Sequence, residues 1–143
     1  MKIYLASPLD HDKRQAISFA AGILRDKGFD VYVPVEHQIP NAWDYPNDEW
    51  GLMVFQADVN AIMASDAIVL LSYGRASTAG TNWEAGFAFG IGKKVIIVEM
   101  LADGEIMSLM VANGRYATVE GLNGLQNYDW ETMPKSRTKT EQK

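Results

Sequence analysis

The chain of 143 residues contains no cysteine, which excludes disulfide bonds, thiol nucleophiles and cysteine-ligated metal. It has only two histidines, His11 and His37, and their contexts do not indicate a metal site. No apolar run approaches the roughly 20 residues needed to span a bilayer. Neither a Gly-x-Gly-x-x-Gly segment nor a phosphate-binding loop motif occurs, so dinucleotide and triphosphate sites of those types lack support.

Positive charge is also scarce, because 13 Lys and Arg residues face 18 Asp and Glu residues and the net charge is −5. No basic stripe crosses the body of the chain, so polymeric nucleic acid is not an expected partner. The first residues are typical of a strand and not of a signal peptide. Together with the absence of cysteine, this predicts a cytoplasmic protein with no membrane partner.

Short apolar strands alternate with helical patterns, which predicts an α/β fold. Strands are predicted at 2–6, 30–33, 67–71, 94–98 and 116–119, and helices at 11–27, 48–64, 81–92 and 105–112. This alternation indicates a single-domain, doubly wound five-stranded parallel sheet, most commonly in the flavodoxin-like or Rossmann-like order 2-1-3-4-5. The domain is expected to span residues 1–133, and residues 134–143 are expected to form a polar, flexible C-terminal tail.

One carboxylate, Glu84, follows the most apolar strand of the sequence, 67–71. Ligands of open α/β sheets bind at the carboxyl ends of the strands, so Glu84 lies near a predicted site. Thr81-x-x-Glu84 matches a capping box, in which Glu84 would only satisfy the helix start. The same first-turn position would favour the ionised carboxylate through the helix dipole, and an ionised carboxylate can be a nucleophile. From the residues alone, both interpretations stay open.

Two further polar side chains occur in apolar segments. Asp58 lies in the predicted helix 48–64, where it is either exposed or the second of two carboxylates, the usual equipment for cleaving a glycosidic bond. Tyr4 lies in the first strand, where it either packs in the core or reaches Glu84 with its hydroxyl. His37 and Gln38 either contact a base edge or belong to an ordinary loop. The helix 48–64 is expected to turn these side chains inward: Trp50, Val54, Phe55, Val59 and Ile62.

Taken together, these residues resemble the nucleoside 2-deoxyribosyltransferase family, from residue 2 to about residue 134. The matching pieces are Ile3-Tyr4-Leu5-Ala6-Ser7-Pro8, Val33-Pro34 with Gln38, Trp50 followed by Asp58, Gly80-Thr81-x-x-Glu84-x-Gly86 with Gly92-Lys93, Gly104-Glu105-Ile106-x-x-Leu109-Met110, and Asn127-Tyr128-Asp129. Each piece alone is weak evidence, whereas their order and spacing together are fairly specific.

The resemblance implies that Glu84 attacks C1′ of a 2′-deoxynucleoside, that the base departs, and that another base or water collects the sugar. It implies that Tyr4 orients the nucleophile and that Asp58 and Gln38 contact the base. Four further residues of the matched region are expected to bind substrate: Pro8, Trp50, Gly80 and Met110. The family uses no metal or organic cofactor, and it forms dimers or larger homo-oligomers whose neighbouring subunits complete each site.

Two positions depart from the family pattern. Thr78 stands where the family usually has an Asp, and Ser108 stands where it has an Asn that binds the sugar 5′-hydroxyl. In the related 2′-deoxynucleoside 5′-monophosphate N-glycosidases both positions are typically Ser and hold the 5′-phosphate, and Ser7 matches a third hydroxyl of that group. Against this, the Arg of that group is matched here by Leu9.

The expected function is therefore that of a nucleoside 2-deoxyribosyltransferase, acting on a small nucleoside and a free nucleobase. One alternative is a 2′-deoxynucleoside 5′-monophosphate N-glycosidase that uses Ser7, Thr78 and Ser108 for the phosphate. The polar C-terminus of this chain also favours the N-glycosidase alternative. The transferases instead end in an aromatic residue whose carboxylate reaches a neighbouring site. The other alternative is a non-catalytic nucleotide-binding module in which Glu84 is only a helix cap.

Overall fold

A computed structural model describes residues 1–39, 41–74, 79–101 and 108–136 of the chain. Its strands are β1 (Lys2–Ala6), β2 (Asp30–Tyr32), β3 (Ala67–Ser72), β4 (Lys94–Glu99) and β5 (Ala117–Glu120). All neighbouring strands pair in parallel, in the order β2-β1-β3-β4-β5. The predicted α/β class and strand order are confirmed.

Five α-helices lie in the described residues: α1 (Arg14–Asp26), α2 (Asn47–Ala64), α3 (Ala79–Gly90), α4 (Leu109–Asn113) and α5 (Gly121–Asn127). Short 3₁₀ turns cover His11–Lys13, Pro34–His37 and Ala42–Asp44. None of the described helices is both long and apolar enough to cross a membrane.

Both faces of the sheet are covered, so the strands are apolar almost throughout. Because side chains alternate along a strand, Ile3 and Leu5 face one core, with α1 and α5, while Tyr4 faces the other, with α2 and α3. All six residues of β3 are buried, as expected for a central parallel strand. The second of these cores positions the candidate site.

Helix α2 differs from the sequence prediction in what it buries. Of the residues expected on its inner side only Ile62 is buried, whereas Trp50 and Phe55 are 40% and 50% exposed. Apolar residues occur on every side of α2, including Leu52 and Met53, so its pattern does not specify a single inner face. The helix therefore presents a wide apolar surface to its surroundings.

Other helices also differ from the predictions. Helix α3 includes Ala79 and Gly80, so Thr81 is buried inside the helix and is not its N-cap. Helix α5 was not predicted, because a seven-residue segment with two glycines carries almost no helical signal. The predicted helix 105–112 falls partly outside the described residues, and its described part begins at Leu109.

The described start of the predicted tail is attached to the sheet. Ser136 accepts a hydrogen bond of 2.9 Å from the Thr118 amide and donates its hydroxyl to the Thr118 carbonyl, also at 2.9 Å. The Tyr128 hydroxyl donates to the carbonyl of Pro134 at 2.9 Å. These bonds hold residues 134–136 along β5, and residues 137–143 lie outside the described part of the chain.

Candidate active site

Tyr4 and Glu84 meet on the side of the sheet that α2 and α3 cover. The Tyr4 side chain is fully buried, and its hydroxyl donates a hydrogen bond to Oε2 of Glu84. The two residues are 80 positions apart in sequence. They come together because α3 follows β3 and β3 pairs directly with β1. The bond fixes the direction of the carboxylate.

Burial raises the pKa of Glu84 to about 7, the hydrogen bond from Tyr4 lowers it, and the charge of Asp58 raises it further. Desolvation therefore opposes the effect expected from the sequence, in which the helix dipole favours the ionised form of Glu84. Glu84 lies in the second turn of the described helix, and the dipole effect of about 0.3–1 kcal/mol fades beyond the first turn. Raising the pKa of Glu84 from 4.5 to about 7 corresponds to about 3 kcal/mol. This energy exceeds the dipole effect, so desolvation dominates the pKa.

Asp58 supplies a second carboxylate to the same place from the opposite helix. A cavity of about 500 Å³ opens between α2 and α3, within the range of small-molecule sites. It is lined by Gly51, Val54, Phe55, Asp58, Val59, Ile62, Ala79, Gly80, Trp83 and Glu84. Burial raises the pKa of Asp58, which the positive field of His37 partly offsets. The cavity is thus mainly apolar and holds two carboxyl groups whose environments favour protonation.

Aromatic rings form one wall of this cavity. The rings of Phe55 and Trp83 lie 5.4 Å apart at a tilt of 59°, and Trp83 stacks on Phe87 at 5.4 Å. Trp83 is half exposed, so its ring offers an open flat surface. Such a surface suits a planar heterocycle, because aromatic rings gain from offset stacking beyond the area they bury.

A second aromatic stack leads away from Tyr4 towards the edge of the sheet. Tyr4 stacks on Tyr32 with centroids 5.6 Å apart, and Tyr32 stacks on His37 at 4.2 Å. Burial, followed by the charge of Asp58, raises the pKa of Tyr32. Tyr32 was not predicted as a site residue. The feature that could have indicated Tyr32 is its pairing with Tyr4 between β1 and β2, because paired residues of neighbouring strands lie on the same face of the sheet.

The other predicted residues are divided among several places. Gly80 lines the cavity beside Glu84, whereas Trp50 and Gln38 are exposed and do not line it. Thr78 lies outside the described residues. Ser7 and Pro8 are buried after β1, and the Ser7 hydroxyl donates to the Pro8 carbonyl at 2.9 Å.

Ser108 and Met110 lie on α4, away from the two carboxylates. Ser108 is the N-cap of α4 and accepts a hydrogen bond from the Met110 amide at 3.2 Å. Met110 is 84% exposed and borders a separate apolar cavity of about 330 Å³ between α3 and α4. The structure therefore brings together Tyr4, Asp58, Gly80 and Glu84, and it places the other candidates around them or elsewhere.

Among the described residues, no group of three or more His, Asp or Glu side chains could hold a metal ion. The chemistry at hand is instead that of two carboxyl groups, one held by a tyrosine, in an apolar cavity with an aromatic wall. An α/β domain with this arrangement is typical of enzymes that act on the glycosidic bond of a small substrate.

The family described as Nucleoside 2-deoxyribosyltransferase matches residues 3–120. The chain belongs to this family, and it is an enzyme of the group that comprises N-deoxyribosyltransferases and N-glycosidases. No curated protein sequence matches the chain.

Solved structures agree with this assignment. The 2-deoxyribosyltransferase of the psychrotolerant bacterium Bacillus psychrosaccharolyticus superposes with a TM-score of 0.86 at 33% identity, over 96% of this chain and 99% of that one. A conserved protein from Enterococcus faecalis V583 matches with a TM-score of 0.64 at 22% identity, over 99% and 93%. The CMP N-glycosidase of Clostridium botulinum matches with a TM-score of 0.63 at 20% identity, over 88% and 96%. The last two share the fold.

Proposed function

We propose that the protein cleaves the N-glycosidic bond of a 2′-deoxynucleoside and transfers the deoxyribosyl group to another nucleobase. The observation that carries the proposal is the hydrogen bond from the buried Tyr4 to Glu84, a residue that lines the cavity between α2 and α3. The substrate class is supported by family membership and by the 33% identity to a 2-deoxyribosyltransferase.

In the first step, an oxygen of ionised Glu84 attacks C1′ of the sugar. The bond from C1′ to the base nitrogen breaks with its electron pair on the base, and an ester joins the sugar to Glu84. The leaving base takes up a proton, and Asp58 suits this role because burial raises its pKa and favours its acid form. In the second step, the nitrogen of another base attacks C1′, loses its proton and releases the Glu84 carboxylate.

Tyr4 has a positioning role in this mechanism. Its hydroxyl donates to Oε2, so the carboxylate cannot rotate freely. Holding the attacking oxygen in line with C1′ lowers the activation barrier substantially, and a small displacement of that oxygen reduces the rate strongly. The same hydrogen bond also lowers the pKa of Glu84 and so increases the ionised fraction.

We propose further that the protein is a homo-oligomer with shared active sites. Large apolar side chains of α2 are exposed, among them Leu52, Phe55 and Met63. Exposed apolar surface of this kind marks interfaces between proteins. Ser108 and Met110 line no part of the Glu84 cavity, so they would contact its substrate only from a neighbouring copy. Light scattering on the purified protein measures the number of copies.

The choice between nucleoside and 5′-monophosphate rests on the hydroxyl groups. A phosphate needs hydrogen-bond donors, and the Ser7 hydroxyl already donates to the Pro8 carbonyl. Ser108 keeps its hydroxyl hydrogen free for donation, because it acts as an acceptor towards the Met110 amide. Of the two described hydroxyls, one argues against the monophosphate and the other is compatible with it, so the preference for the transferase rests on the 33% identity to a 2-deoxyribosyltransferase.

Product analysis tests the proposed reaction. The protein is incubated with deoxyadenosine, with and without free cytosine, and in parallel with deoxyadenosine monophosphate, and the products are identified by mass. We expect deoxycytidine only where cytosine is added, because the sugar must pass to a second base. Free adenine from the monophosphate alone would instead identify an N-glycosidase. Absence of product from any purine or pyrimidine substrate would contradict enzymatic function at this site.

The pH dependence of kcat/KM tests the roles of Tyr4 and Asp58. Attack requires ionised Glu84, so we expect kcat/KM to fall about tenfold per pH unit below a midpoint near pH 7. Tyr4→Phe removes the hydrogen bond that lowers the pKa of Glu84, so the midpoint should move to higher pH. The ionised fraction of Asp58 raises the pKa of Glu84 in the free enzyme, so Asp58→Asn, which removes that charge, should move the midpoint to lower pH.

Tyr32→Phe is the matched control for Tyr4→Phe. It removes a hydroxyl from the neighbouring ring of the stack, which makes no hydrogen bond with Glu84 in the structure, and it should leave the midpoint unchanged. Shifts of the same sign in the Tyr4 and Asp58 variants would contradict the electrostatic assignment.

A further inference from the structure

A third cavity, of about 400 Å³, lies at the opposite edge of the sheet from the start of α3. Lys94 begins β4 and Tyr116 directly precedes β5, so the cavity lies at the amino edge of the parallel strands. It is lined by Phe89, Gly92, Lys93, Lys94, Val95, Gly114, Arg115, Tyr116, Lys135 and Ser136. Four of these residues are cationic and none is acidic, in a protein whose net charge is −5. We call it the basic cavity.

The cations of the basic cavity are gathered around one fixed ring. The ammonium groups of Lys94 and Lys135 lie 4.9 and 5.4 Å from the centre of the Tyr116 ring. The Tyr116 hydroxyl donates to the Met133 carbonyl at 2.7 Å, which anchors the ring. Within the described residues, neither these two ammonium groups nor that of Lys93 forms an ion pair with a carboxylate.

Helix ends account for only part of this charge. Helices α3 and α4 end at Gly90 and Asn113, beside the cavity, and Arg115 donates to the Ala112 carbonyl at the end of α4. A helix C-terminus carries about half a negative charge, so two of them offset about one cation. The ammonium groups of Lys93, Lys94 and Lys135 repel one another, and a bound anion would relieve that repulsion.

We propose that the basic cavity binds a chain of two or three phosphate groups, at a site separate from Glu84. Ammonium and guanidinium groups are the side chains that hold multiply charged phosphates, through charge-assisted hydrogen bonds. Three lysines and Arg115 line a volume large enough for such a chain, and none of the described residues in the lining is acidic. The ligand is either inorganic polyphosphate or the phosphate chain of a nucleotide.

Calorimetric titration of the whole protein with inorganic tripolyphosphate at low ionic strength tests this site. We expect one ligand per chain, bound more weakly as salt is added. The double variant Lys94→Gln, Lys135→Gln should bind at least about tenfold more weakly, because two charge-assisted contacts are lost. Lys2→Gln, Lys27→Gln changes the net charge equally at two lysines outside the cavity, the exposed Lys2 and the half-buried Lys27, and it should change the affinity by less than about twofold.

A parallel titration of Glu84→Gln should give the affinity of the unchanged protein, since Glu84 is not part of this site. A nucleoside triphosphate that binds as tightly as tripolyphosphate identifies the phosphate chain as the whole determinant, whereas tighter binding shows that the nucleoside also contacts the cavity. If the double variant does not fold, Lys135→Gln alone should still weaken binding several-fold, since Lys135 is exposed and lies outside every helix and strand. Undetectable binding, or equal weakening in both double variants, would overturn the proposal.

Discussion

Replacing Glu84 with alanine is expected to lower kcat/KM for deoxyribosyl transfer by roughly 10⁴-fold or more, because no other group can form the ester. Glu84→Gln should lose as much, although it keeps an oxygen that accepts the Tyr4 hydrogen bond. The comparison separates chemistry from packing, since only the alanine variant leaves the Tyr4 hydroxyl without its acceptor. Initial rates with deoxyadenosine and cytosine measure the effect, and circular dichroism confirms that each variant folds.

Glu84→Asp provides the graded control. It keeps a carboxylate but withdraws it by one methylene, and a displacement of this size should cost on the order of 10²-fold in kcat/KM. Acid quenching during turnover, followed by peptide mass analysis, should find a deoxyribosyl adduct on the peptide that contains Glu84. Full activity in Glu84→Gln would contradict the covalent mechanism and would show that the carboxylate has only a structural role.

The same residue should limit the stability of the fold. The pKa of Glu84 is raised to about 7 from an ordinary value of 4.5, so the folded protein holds a proton that the unfolded chain releases. The free energy of unfolding therefore falls as pH rises from about 4.5 to 7 and stays low above that range. Glu84→Gln removes this dependence. At pH 8 we expect the variant to be more stable by about 2–3 kcal/mol, which is roughly 10 °C in Tm.

Urea unfolding at pH 4 and pH 8, at one protein concentration, measures this effect. The two proteins should be equally stable at pH 4, to within about 1 kcal/mol, because Glu84 is then protonated in both the folded and unfolded states. Glu49→Gln, at an exposed glutamate of α2, controls for the general loss of a negative charge. A difference that is the same at both pH values would mean that the raised pKa of Glu84 is not its cause.

The sheet could be predicted from sequence because each strand is a short apolar run with clear ends. Gly28 follows the end of α1, and it adopts a φ of 89°, a left-handed conformation that favours glycine and makes this residue a readable stop signal. Helix α2 shows the limit of such patterns. Its apolar residues surround the helix, so only the folded structure reveals that Ile62 is buried and Phe55 is exposed.

Four members of the candidate site, Tyr4, Asp58, Gly80 and Glu84, were predictable from sequence, whereas its electrostatics were not. A tyrosine in a buried strand needs a hydrogen-bond partner, and this requirement pointed from Tyr4 to Glu84. The protonation of Glu84 depends on how far α2 and α3 withdraw it from water, which no local pattern contains. The basic cavity was missed for a similar reason, because its cations come from three separate segments, near Lys94, Arg115 and Lys135.

The position of β1 between β2 and β3 has a consequence for synthesis on the ribosome. β1 is made before both of its neighbours, and Tyr4 leaves the ribosome 80 residues ahead of Glu84. At roughly 5–20 residues per second, that interval lasts roughly 4–16 s. During this interval, the nascent chain contains the Tyr4 hydroxyl but not yet Glu84. Catalytic competence therefore arrives only once α3 has emerged and docked, after more than half of the 143 residues have been translated.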